Sequence, residues 1–313
     1  MPNPIDDLLS RPIPEKLWHY TSIQGFQGIV TSKSIWATDL RFLNDREEFI
    51  HVRNLSNKIV DATPELDENG FPNRRFLAKA VAFAFDSILA DAGLQVFVAS
   101  FSAAEDQLGQ WRGYSRGSSG VSLAFDLKAF RPPPSIGALS SFTPCVYDSA
   151  KKEELVLHAL HHFKESVGEL RPEEQKQVLK EFLEADPSKK VPEKFRVAVG
   201  NSRLDYFRVA ALLKHSSFEE ESEWRIAWPT YNKELASVDP TRFRVEKTTL
   251  VPYISIPFAI AWRDTPPAEP LPLVDIILGP GSDENSVFAA QRFLNSQGLT
   301  LKPRLSKVPY RPS

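Results

Sequence analysis

Residues 94–126 read LQVFVASFSAAEDQLGQWRGYSRGSSGVSLAFD. The first eight, LQVFVASF, are a near-continuous apolar run, the pattern of a strand buried on both faces. AAEDQLGQWRGY, residues 103–114, predicts a short polar helix. GVSLAFD, residues 120–126, predicts a second strand, reached through a Gly/Ser turn. Strand, helix and strand in this order set the centre of an α+β fold.

Toward the N-terminus, Leu17 to Tyr20 predict a short strand. Ser22 is placed to N-cap a helix whose apolar residues Ile23, Phe26, Ile29 and Val30 share one face. SIWAT (34–38) predicts another strand and LRFLND a turn. Helices are expected over Arg46 to Val60 and Arg74 to Asp91, separated by the loop DATPELDENGFPN. Toward the C-terminus, residues 149–215 carry three charged helical patterns. Strands then return in EWRIAW, FRVEK, VPYISIPF and VDIILG. A helix over DENSVFAAQRFLNSQ and a short strand in LTLKPRL complete the order. Strands on both sides of the helical block predict one domain over 17–313, interrupted at about 149–215, behind a Pro-rich N-terminal arm at 1–16.

The chain has 313 residues, 42% hydrophobic and 25% charged, with a formal net charge of −2. That balance is ordinary for a globular protein and gives no non-specific electrostatic grip on nucleic acid. Cys145 is the one cysteine, so an internal disulfide and a multi-Cys metal site are excluded. The opening residues show no signal-peptide pattern and no apolar run reaches membrane-spanning length, so a cytoplasmic location is expected.

Three places could carry chemistry. His19 stands near the end of the first strand, followed by Tyr20, Thr21 and Ser22. A lone histidine there is more often structural. Trp111 and Tyr114 fall three apart on one helix face, beside Asp106, Gln110 and Arg112. That helix reads as too polar for a core element, so its two aromatics are expected to wall a cleft and stack on a planar ring. In EEESEWRIAW, residues 219–228, Glu221, Glu223 and Arg225 share one strand face and Trp224, Ile226 and Trp228 the other. Such a row is either a salt bridge or a working acid. HALHH places His158, His161 and His162 at helical spacing, but a metal site is not expected.

The order of LWHYTSIQGFQGIVTSKSIWAT, LND, SFS, Asp106, Trp111, Tyr114, GVSLAFD, EWRI and IILGP resembles a large bacterial family catalogued as a domain of unknown function. The resemblance runs from about residue 17 to 281 and skips the helical block. The motif order is also similar to enzymes of the ADP-ribosyltransferase fold, of the diphtheria-toxin, poly(ADP-ribose) polymerase and DarT-like kinds. It implies a split β-sheet core and NAD as substrate. It implies that His19, Tyr20, Thr21, Ser102, Trp111, Arg112 and Tyr114 hold NAD, and that Glu223, with Glu221 as outer acid, stabilises the oxocarbenium-like charge as the nicotinamide bond breaks. Asn44, Asp45 and Arg225 would face the phosphate or acceptor. A protein or nucleic-acid acceptor, a toxin or anti-phage role and an antitoxin partner would follow. Two other readings stand beside it: a non-catalytic nucleotide-binding module, and a nucleic-acid-processing enzyme using His19, Asp106 and Glu223 in acid–base roles.

Overall fold

The computed structural model describes residues 3–43, 46–89, 94–114, 120–128, 141–184, 192–231, 241–246, 248–258 and 271–309. The central strand is β3 (Leu94–Ser102). Along one edge it pairs over its whole length with β6 (Glu223–Tyr231), from Leu94↔Tyr231 to Ser102↔Glu223, and β5 (Ser141–Pro144) lies outside β6. Its other edge is shared. β1 (Leu17–Ser22) meets it only at Trp18↔Ser102, and β2 (Ser34–Asp39) only at Thr38↔Val98 and Asp39↔Phe97.

Both strands run antiparallel to β3 and take successive stretches of one edge, β2 at Phe97 and Val98 and β1 at Ser102, and each then leaves it. The sheet therefore forks. One arm continues from β1 through β4 (Gly120–Phe125) and β9 (Leu273–Leu278) to β10 (Arg304–Leu305). The other continues from β2 through β8 (Thr249–Pro257) to β7 (Arg242–Glu246). All pairings between these strands are antiparallel except β9 with β10.

Helices cover both faces. Against the first face lie α2 (Ile23–Ser32) and α10 (Glu284–Ser296). Phe26, Ile29, Val30, Ala290 and Leu294 pack there on Leu17, Phe97, Phe101, Leu123, Ile226 and Trp228. Ser22 does cap α2, accepting from the Gly25 amide at 3.1 Å. Against the second face lie α3 (Arg46–Ala62), α4 (Asn73–Leu89) and α6 to α9 (Ser149–Gly168, Pro172–Glu184, Glu193–Ala198, Gly200–Leu212). α5 (Leu108–Tyr114) covers the same face of the β1 arm.

The helical block is built into the core of the domain: Val156, Phe163, Tyr206 and Phe207 share one cluster with Val52, Phe76 and Phe85 of α3 and α4 and with Val96 and Val98 of β3. The N-terminal arm is docked: α1 (Pro4–Leu9) buries Ile5 and Leu8, and the Leu8 carbonyl accepts from Thr143 Oγ1 at 2.9 Å. In LTLKPRL only Arg304 and Leu305 form a strand.

Candidate functional site

Strand pairing decides which of the singled-out side chains can meet. Trp18, Ser102 and Glu223 lie side by side across β1, β3 and β6, hence on the second face. His19 is one residue on from Trp18 and points to the first face. There its ring lies 5.7 Å from that of Phe101. Strand parity thus separates His19 from Glu223 rather than turning both into one cleft.

His19 sits at the fork. Beyond the Trp18 bridge, β1 no longer serves the edge of β3, and the imidazole takes over: Nδ1 donates to the Ser100 carbonyl at 2.9 Å. That bond fixes the proton on Nδ1 and leaves Nε2 as a bare acceptor. Burial lowers the imidazole pKa, against the opposing effect of the Ser100 bond, so the ring is neutral at pH 7. Nε2 has no partner among the described residues. Thr21 is on the same side, its Oγ1 lying against Gly25. A Cβ at Gly25 would stand 2.0 Å from that oxygen and would displace the Thr21 side chain.

On the other face, the ends of β3 and β6 are stitched together. Ser102 Oγ donates to the Glu221 carbonyl at 2.6 Å, and the Ala103 amide to the Ser222 carbonyl at 2.9 Å. Tyr20 lies nearby, its hydroxyl donating to the Ala104 carbonyl at 3.2 Å and accepting from the Gln107 amide at 3.0 Å. Burial pushes its phenol up to about 12.

Glu223 is 3% exposed. Its Oε1 accepts from Arg225 Nε at 2.8 Å, and its Oε2 from Arg225 at 3.1 Å and from Lys214 Nζ at 2.5 Å. Lys214 also holds Glu221 Oε2 at 2.6 Å, and Arg225 donates to the Ala211 carbonyl at 2.9 Å. Burial alone would raise the Glu223 pKa; the charges of Arg225 and Lys214 outweigh it and hold the carboxyl at about 2. The row of acids is therefore a buried network of two carboxylates and two cations. The strand parity is as expected, but the face is not half-open. Glu221 lies outside the strand, in a 3-10 turn (Ser216–Glu221) closed by Ser222 at φ 43°. Lys214, the clamp of the network, follows α9 and belongs to none of the sequence motifs. Its signal is a basic residue just ahead of an acidic run.

Trp111 is a correction. It is 0% exposed, its Nε1 donates to Asp106 Oδ1 at 2.9 Å, and its ring meets Tyr20 edge-on at 4.9 Å. Its ring carbons would stand 3.0 Å from a Cβ at Gly279. No face is left for a ligand: Trp111 seals the core, Gln110 beside it is buried too, and Arg112 faces outward. Asp106 is likewise spent: it also accepts from Ser306 and, at 2.7 Å, from the Lys307 amide, which weighs against an acid–base role. Arg112 is exposed. Tyr114 ends α5 and its side chain lies outside the described residues, as do Asn44 and Asp45.

Among the described residues no group of three or more His, Cys, Asp and Glu side chains is placed to hold a metal ion, and no helix is long and apolar enough to cross a membrane. His158 and His162 face each other at 6.2 Å, and His162 Nδ1 lies 3.4 Å from Asp205.

Neither a curated protein nor a solved structure matches the chain. A family match does exist, and its span differs from the resemblance in the motifs: it takes in the helical block and the Glu223 network and leaves out β1 with His19. Residues 110–226, from α5 through Ile226 of β6, match the family model described as Protein of unknown function (DUF2971).

Proposed function

We propose that the protein binds a nucleotide at the fork, with His19 Nε2 accepting a hydroxyl of its sugar. The observation that carries this reading is the imidazole itself: neutral, fixed through Nδ1, and bare at Nε2 where the sheet divides. The resemblance to split-sheet NAD enzymes supports NAD as the nucleotide. Binding is favoured over transfer because a carboxylate that steadies an oxocarbenium must face the breaking bond and be short of partners. Glu223 points to the opposite face and already accepts from two cations.

ADP-ribosyl transfer to a protein or nucleic-acid acceptor, with the toxin or anti-phage role and antitoxin partner it implies, is the second reading. The grouping of Tyr20, Ser102, Glu221 and Glu223 at neighbouring strand ends favours it, and it requires the Lys214 clamp to open. Calorimetric titration with NAD, comparing wild type with His19→Ala, tests the first reading. Incubation with labelled NAD and cell lysate, beside Glu223→Gln, tests the second. NAD binding that His19→Ala abolishes, without label transfer, supports binding alone. Label transferred by wild type and lost in Glu223→Gln supports transfer. Absence of NAD binding by the wild-type chain sinks both.

A further inference from the structure

Behind the Glu223 network, between α3 and the start of α6, lies a groove of about 320 Å³. That is roughly ten times the ~30 Å³ share of one water. His51, Asn54 and Lys58 line it from α3, and Ser149, Lys152 and Glu153 from α6. Lys152 is its unusual member. The side chain is 3% exposed, yet among the described residues the ammonium has one acceptor, the Lys214 carbonyl at 3.1 Å, and no carboxylate within ion-pairing distance.

A buried ammonium needs a counter-charge and acceptors for its remaining protons. The carboxylate whose charge reaches Lys152, Asp148, is exposed at the start of α6, and Glu221 and Glu223 are bound to Lys214 and Arg225. Of the other groups around the groove, Lys58 adds positive charge at the rim, and the His51 ring lies 6.0 Å from that of His215. Burial, with the neighbouring Lys152 and His215, lowers the His51 pKa, so its ring is a neutral hydrogen-bond donor at pH 7. The first turn of α6 carries no acid of its own. Two acids oppose this positive charge: Asp148, which is occupied in capping α6 through the Lys151 amide at 2.7 Å, and Glu153, which is exposed on the rim.

We propose that this groove is a binding site for a phosphate-bearing ligand, with Lys152 as its buried anchor and His51 and Lys58 as flanking donors. The site is separate from the fork and does not depend on the nucleotide reading. A phosphate or diphosphate supplies the close counter-charge and the acceptor oxygens that Lys152 lacks.

The test is calorimetric titration of the full chain with inorganic pyrophosphate at low salt. Wild type is expected to bind, Lys152→Met to lose at least tenfold in affinity, and the exposed Lys58→Ala about threefold. His19→Ala is expected to bind pyrophosphate as wild type does, which keeps failure at the fork distinguishable from failure here. Circular dichroism checks that Lys152→Met is folded; if it is not, Lys58→Ala decides alone. No pyrophosphate binding by wild type, or binding that a folded Lys152→Met and Lys58→Ala leave unchanged, overturns the proposal.

Discussion

Replacing Glu223 by Gln keeps the side-chain shape and removes one charge from a buried network of four. Lys214 then keeps Glu221, and both cations lose the Glu223 charge. The cost can be worked from the carboxyl itself. It titrates near 2 in the folded chain, against roughly 4.3 for an unperturbed glutamate, and one pKa unit is about 1.4 kcal/mol. The difference is about 3 kcal/mol, at the lower end of the ~3–5 kcal/mol typical for breaking a buried pair. Unfolding entropy of about 2.1 cal/mol/K per residue, over 313 residues, gives roughly 0.7 kcal/mol/K, so Tm should fall by about 4 °C at pH 7.

The pH dependence has a definite sign. The folded pKa lies below the unfolded one, so the stabilisation is complete above about pH 5 and is lost as pH falls toward 2. Thermal melts of wild type and Glu223→Gln from pH 7 to pH 2.5 should therefore converge in acid. Glu221→Gln, on a less buried side chain with one described ion-pair partner, should cost less than half as much. A Tm gap below 1 °C at pH 7, or one that stays constant down to pH 2.5, would refute the reasoning.

Four further outcomes can be checked by denaturant or thermal unfolding. Gly279→Ala should destabilise by roughly 1–3 kcal/mol, because its Cβ would press at 3.0 Å on Trp111 and on the Gly120 carbonyl; Gly28→Ala, inside α2 with nothing within 4 Å, should stabilise by roughly 0.5–1 kcal/mol. Asp106→Ala removes the acceptor shared by Trp111, Ser306 and Lys307 and places alanine at φ 52°. It should cost roughly 2–3 kcal/mol and speed proteolytic cleavage around residues 306–309. His19→Ala strips the Ser100 carbonyl of its partner, at roughly 1–2 kcal/mol. Burial lowers the folded imidazole pKa, so the gap between wild type and this variant should shrink as pH falls below about 6.5.

Much of the architecture was legible because periodicity reports burial. The run LQVFVASF is the one strand shared by every branch of the sheet, and the alternation in EWRIAW placed three large apolar side chains on one face and Glu223 and Arg225 on the other. What alternation cannot report is whether the polar face meets water or another layer. Here helices lie over it, which turns a row that reads as half-open into a sealed ionic cluster. The helix of Trp111 misled for a related reason: a seven-residue helix with a polar outside can bury a single large ring, and composition averages that ring away. Lys152 and Lys214 were not legible as a pair, since 62 residues separate them and their meeting depends on how α6 crosses α9.

The divided edge of β3 has a consequence for motion. Two neighbours hold that edge through three residue pairs in all, and between them one imidazole stands in for a ladder of amides. Backbone hydrogens around Ala99 to Phe101 should exchange with solvent sooner than their fully paired counterparts in β6, since separating the two arms there breaks few bonds. The molecule thus carries a seam in its sheet that few backbone bonds close, held together by the apolar core beneath it.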